Sequence, residues 1–363
     1  MKMVPFLTCI LLVCFGASVF AAETALWSGK AAAAYLDGRM AWWESWPPAA
    51  RDHETFCVSC HTAAPYAMGR PALRAALGEQ GPSPVERKLV DNVAKRVRMW
   101  KEAGPFYSDE GTGANKTAES RGTESIFNAL ILAGYDAPAG KLSADARMAM
   151  DNMWAEQLKT GEARGAWAWL QFHNSPWEGD SQYYGATLAA VAVGLAPGGY
   201  SSTPEIQSGL NALREYLARG RDSQIPIDRM TLLWASAKVP GLLTAEQRKA
   251  IVEEALSKQR ADGGFSLSSF VGGWKRKDGT PLETASDGYA TGVVVFALEQ
   301  AGVARDEPRL ARGVEWLERN QDKTDGRWVA YSLNKKRDLS SDVGRFMSDA
   351  ATAYAVLALG GAQ

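Results

Sequence analysis

Apolar residues recur at helical spacing in twelve stretches of the chain, about 28–44, 64–77, 86–103, 122–134, 143–159, 183–195, 204–218, 227–238, 243–259, 287–302, 307–321 and 346–360. No sustained period-two alternation interrupts them, so the fold class expected is all-α. The stretches pair into six hairpins. The second members of several pairs share one character, as in Gly122–Leu130, Tyr184–Val191, Tyr289–Phe296 and Asp349–Val356. These are small, apolar and weakly charged, the pattern of helices buried on all sides. First members such as Glu86–Arg96 carry charge along one face and belong outside. First helices begin about every 40–60 residues, the period of stacked helical hairpins, which form either an open solenoid or a closed ring. The links inside the hairpins are mostly long, at 45–63, 104–121, 160–182, 260–286 and 322–345. Because every hairpin runs in the same sense, those links gather at one end, where function is expected.

The N-terminus changes the picture. Lys2, an apolar run from Val4 to Phe20 and small residues at Ala21 and Ala22 read as a signal peptide over residues 1–21, leaving 22–363 as a single domain. A periplasmic location follows, with no integral membrane segment after cleavage. Cleavage removes Cys9 and Cys14, so only Cys57 and Cys60 of the four cysteines stay in the mature protein. Losing Lys2 takes the net charge from −1 to about −2, too little positive charge for a nucleic-acid partner. Thirteen tryptophans are more than such a chain needs for an ordinary core.

The surviving cysteines sit in Cys57-Val58-Ser59-Cys60-His61. This C-x-x-C-H spacing lets two thiols reach neighbouring vinyl groups of one porphyrin while the next imidazole ligates the iron. A zinc half-site needs another ligand pair of the Cys or His type, and the mature chain has no further cysteine. A thioredoxin-like dithiol needs neither His61 nor this all-helical setting. One covalent haem c is therefore expected on Cys57 and Cys60, with His61 as proximal iron ligand. For the opposite axial position His173, in the long 160–182 link, is the first candidate and Met347 the alternative; His53 and Met68 are poorly spaced.

Arg312–Gln321 followed by Gly326-Arg327-Trp328 resembles the QW repeat of squalene–hopene cyclases and their relatives in the terpenoid cyclase and protein prenyltransferase superfamily. Weaker copies are Gln157 with Gly165-Ala166-Trp167 and Gln259 with Gly263-Gly264-Phe265. The resemblance implies an α/α toroid of about six hairpins, in which each glutamine bonds the next helix end and ties outer helices together. It also absorbs part of the tryptophan excess. The chain departs from the family in its chemistry. It has no D-x-D-D motif, so class II cyclase activity is not expected, and it lacks the Asp, Cys and His set with which prenyltransferases hold zinc.

Carboxylates also collect in the links and inner-helix starts: Glu119, Glu124, Glu178, Asp180, Glu283, Asp287, Asp342 and Asp349. Six-hairpin barrels are used by glycosidases, which set two carboxyls about the scissile bond. Asp287 and Asp349 equally suit helix caps. Trp167, Trp169, Trp177, Tyr183 and Tyr184 could line a lipid or sugar pocket or cover the haem. The reading reached is a periplasmic monohaem protein with an electron-transfer role and a redox partner protein. Its alternative is a toroid that binds or processes a terpenoid-like lipid or a glycan, with haem structural or sensory; a small apolar ligand belongs to that alternative.

Overall fold

The computed structural model describes Met1 and residues 26–179 and 182–360. The expected signal peptide beyond Met1, Cys9, Cys14 and Asp180 lie outside the described residues. Thirteen α-helices are found among the described residues: α1 (Gly29–Ser45), α2 (Ala63–Ala76), α3 (Pro84–Arg98), the single turn α4 (Asp109–Thr112), α5 (Lys116–Asp136), α6 (Ala144–Glu156), α7 (Tyr183–Leu195), α8 (Gln207–Gly220), α9 (Pro226–Lys238), α10 (Ala245–Ser257), α11 (Gly288–Gln300), α12 (Pro308–Arg319) and α13 (Phe346–Leu359). All twelve expected helices are present. The largest boundary differences are at α5, which starts six residues before the expected 122, and α3, which ends before 103. A two-residue antiparallel ribbon, β1 (Ala50–Arg51) with β2 (Thr55–Phe56), folds the first long link.

The helices form the expected α/α toroid. In the inner ring α2, α5, α7, α9, α11 and α13 each pack on the next, and α13 packs back on α2. Around it stand α1, α3, α6, α8, α10 and α12. Inner helices such as α7 and α11 are buried on almost every face, which is why their sequences lack charge. Outer helices begin at polar stops: Ser83 with Glu86, and Thr244 with Gln247, form reciprocal capping boxes.

The three motif glutamines, Gln157, Gln259 and Gln321, act alike. Gln157 Nε2 donates to Gly165 O at 3.0 Å and to Gly209 O in the first turn of α8 at 2.9 Å. Gln259 Nε2 donates to Gly263 O at 2.8 Å and to Arg309 O in α12 at 2.6 Å. Gln321 Nε2 donates to Gly326 O at 2.8 Å and Ser28 O at 3.0 Å, while its Oε1 accepts from Ser28 N at 2.6 Å. Ser28 caps α1, so the last copy joins the end of the ring to its beginning. The aromatic part of each copy then runs inward past an inner-helix threonine. Phe265 N donates to Thr291 Oγ1 and Trp328 N to Thr352 Oγ1, each at 3.0 Å; after Trp167, Leu170 N makes the matching bond to Thr123 Oγ1, also at 3.0 Å. Gly288 permits this approach, because a Cβ there would lie 2.5 Å from Trp328 Cβ.

Removing the final clasp should loosen the ring where it closes. Gln321→Leu is expected to lower stability by about 2–4 kcal/mol, from three lost hydrogen bonds and the stranded Ser28 and Gly326 groups. The exposed Lys249→Ala should stay within about 0.5 kcal/mol. Urea unfolding of both variants checks this, and equal midpoints would contradict it.

Candidate functional site

The long links meet over the N-termini of the inner helices, as their common direction requires. There the 160–182 link, the starts of α7 and α9 and the 260–286 link enclose a cavity of about 300 Å³. Trp177, Tyr184 and Trp274 form its aromatic walls, and Asp228, Ser175 and Gln224 its polar ones. The indole N–H groups are tied back, Trp177 Nε1 to Tyr289 Oη at 3.0 Å and Trp274 Nε1 to Leu333 O at 2.9 Å. Rigid rings therefore border the cavity. Two further hollows lie apart from it, about 370 Å³ beside Gln157 between α6 and α8 and about 500 Å³ between α1 and the 322–345 link, beside Arg39 and Trp42.

Asp228 is the carboxylate the sequence reading missed. Its hairpin has the one short link, so no long loop drew attention to Ile225-Pro226-Ile227-Asp228. The available signal was position, since Asp228 starts its inner helix as Asp287 and Asp349 start theirs. It is 7% exposed, and its carboxylate has no hydrogen-bond partner among the described residues. Burial pushes it up to about 7, against the opposing pull of Arg229. Beside it, the Ser175 hydroxyl is buried and without a partner among the described residues. Asp287 is different. It caps α11 through Ala290 N at 2.9 Å and accepts from Leu267 N at 2.6 Å, although burial still raises it to about 6.

The other expected carboxylates among the described residues are engaged in ion pairs or hydrogen bonds. Glu124 pairs with Arg96 at 2.5 Å, Glu283 with Arg276, and Glu119 with Lys116 at 2.5 Å. Asp349 is not a cap, because α13 already starts at Phe346. It accepts from Arg39 Nε and Tyr35 Oη at 2.8 Å each and from Thr62 Oγ1 at 2.7 Å, while Asp342 takes Arg39 Nη1 at 2.7 Å. Of the expected aromatics, Trp177 and Tyr184 reach the cavity, whereas Trp167, Trp169 and Tyr183 are core.

Cys57, Cys60 and His61 lie in the same mouth. Trp43 Nε1 donates to Cys57 O at 2.7 Å, and Cys60 Sγ faces Glu178 Oε1 at 3.8 Å. Both thiols are buried, which pushes Cys57 up to about 12 and Cys60 well above its ordinary value. They are thus poorly disposed to react as thiolates. The His61 imidazole stacks on Phe346 with centroids 3.7 Å apart, meets Trp43 edge-on at 5.0 Å and lies 6.1 Å from Trp177. Lost solvation, with Arg39 and Arg337 adding to it, pushes His61 down to about 3. His173 instead packs against Trp274, its ring tilted and the centroids 4.7 Å apart, and Met347 is 4% exposed in the apolar core.

Comparison with solved structures finds glycosidases. One glycosidase variant matches with a TM-score of 0.50 and 12% identity, over 92% of this chain and 97% of that one. A second variant matches with a TM-score of 0.48 and 13% identity, over 92% and 98%. No family model and no curated protein matches the sequence. The chain thus shares the helical toroid of a glycosidase, by fold alone.

The expected electron-transfer function is corrected on these findings, together with its cytochrome, haem and metal-binding attributes. The toroid is one found in glycosidases, and among the described residues no group of three or more His, Cys, Asp and Glu is placed to hold a metal ion. Among the described residues no helix is long and apolar enough to cross a membrane.

Asp228 should make stability depend on pH. An acid raised in the folded state keeps its proton after the unfolded chain has lost it, so its penalty is absent below about pH 4 and grows as pH rises towards 7. At about 1.36 kcal/mol per pKa unit the penalty reaches up to about 4 kcal/mol. Asp228→Asn is therefore expected to be the more stable protein at pH 8 and to match wild type at pH 4. Thermal unfolding at both values checks the sign.

Proposed function

We propose that the mouth of the toroid binds a carbohydrate and that Asp228 serves there as a proton donor in glycan processing, in the periplasm. The observation that carries this reading is the cavity itself, where rigid aromatic walls stand beside a buried carboxyl and a hydroxyl that have no hydrogen-bond partner among the described residues. Indole and phenol faces suit the C–H faces of a sugar ring, and the two polar groups suit its hydroxyls. A carboxyl raised to about 7 is protonated in roughly half of the molecules at neutral pH, where an ordinary aspartate has lost its proton, which suits a general acid. The glycosidases that share the fold support the same reading.

A terpenoid ligand fits this cavity less well, because a hydrocarbon would leave Asp228 and Ser175 desolvated without partners. We infer that kinship with squalene–hopene cyclases is confined to the glutamine clasps of the outer helices. At about 300 Å³ the cavity has room for roughly one or two sugar rings.

Calorimetric titration with a panel of short neutral oligosaccharides tests the proposal. A ligand with Kd in the micromolar to millimolar range is expected, weakened roughly tenfold or more by Trp177→Ala or Trp274→Ala. Any hydrolysis of that ligand should be lost in Asp228→Asn while binding persists within about threefold. Failure of the whole panel to bind, or binding indifferent to both tryptophans, would refute the reading.

A further inference from the structure

A chain of buried hydrogen bonds ends at His61, and donor counting along it fixes where the imidazole proton sits. Arg39 can only donate, and its Nε gives a hydrogen bond to Asp349 Oδ1 at 2.8 Å, which favours the ionised carboxylate. Tyr35 donates to the same oxygen at 2.8 Å. The other oxygen, Oδ2, accepts from Thr62 Oγ1 at 2.7 Å. A threonine hydroxyl has one proton, so with that proton on Asp349 its oxygen can only accept from His61 Nδ1, 2.8 Å away. Nδ1 must then carry the hydrogen, and Nε2 is left with its lone pair.

Tyr35, Arg39, Thr62 and Asp349 are all buried, whereas His61 keeps part of its surface open to solvent. It also lies 6.1 Å from Trp177, whose ring walls the cavity. The geometry points to His61 as a binding residue of the mouth, locked by Thr62 and Asp349 in the Nδ1–H tautomer so that Nε2 accepts a hydroxyl proton from the ligand. Thr62 and Asp349 are positioning residues in this scheme. The part of it that concerns the ligand rests on the carbohydrate reading above; the tautomer does not.

Nitrogen NMR of the full chain labelled at histidine nitrogen tests both parts, with His61→Gln identifying the signals among the three histidines of the chain. Wild type is expected to give the protonated pattern at Nδ1 and the unprotonated one at Nε2. Thr62→Val should abolish that preference and Thr62→Ser should restore it, a change that mere loss of packing does not produce. Should Thr62→Val fail to fold, the wild-type spectrum decides alone, and protonation at Nε2 overturns the assignment. On titration with the oligosaccharide that binds best, the His61 Nε2 signal should move, and Thr62→Val should bind it roughly 2–10-fold more weakly. A ligand that quenches tryptophan fluorescence yet leaves Nε2 unmoved overturns the binding role. If no oligosaccharide perturbs either signal, the carbohydrate reading fails and takes the binding role with it, while the tautomer stands on its own spectrum.

Discussion

The structure depends on one constraint: six inner helices must close on themselves, and the last hairpin must find the first. Two contacts meet it. On the inside α13 lies against α2 so closely that a Cβ on Gly69 would stand 3.0 Å from Ala353 O. On the outside Gln321 grips both backbone polar groups of Ser28, one residue before α1 begins. The two seams lie on successive layers of the same wedge. Neither can form correctly unless the four hairpins between them already have the right angle to one another.

Closure also decides the chemistry of the mouth, because it aims six helix N-termini at one small area. Acids are favoured beside those termini by the unpaired N–H groups and their partial positive charge. Three of them meet different fates there. Asp287 is used up by Ala290 and Leu267, and Asp349 by Arg39, Tyr35 and Thr62, whereas Asp228 has a cavity in front of it and no hydrogen-bond partner among the described residues. The same local position therefore yields a cap, a structural ion pair and a carboxyl that faces a cavity, according to what the neighbouring link supplies.

Much of the fold was legible because its signals are local. Helical period, the contrast between apolar and charged stretches, and the glutamine with its following glycine and aromatic residue all lie within a few residues of one another. The recurring inner-helix threonines were visible too, but their purpose was not, since Thr123, Thr291 and Thr352 each serve a segment that another hairpin or a long link brings in. The site was harder to read for the same reason. Trp177 in a conspicuous long link and Tyr184 just after it were marked as candidates, while Asp228 reaches the cavity from the one hairpin with a short link, and Trp274 stands in the long 260–286 link with no motif around it. C-x-x-C-H is a strong local motif, and it drew the functional reading to redox chemistry. The surroundings of His61, which come from α1, α13 and the third hairpin, could not be read from it.

Because α13 returns to α2, no hairpin of this molecule has a free flank. An open array of repeats can gain or lose a unit at its end and settle into a new length, each unit answering only to its neighbours. A ring has no such freedom. A seventh hairpin would demand a smaller turn at every interface at once, so the architecture can diversify only by rewriting its links. In a closed ring, length can therefore be added or removed at the loops over the mouth without changing the count of helices.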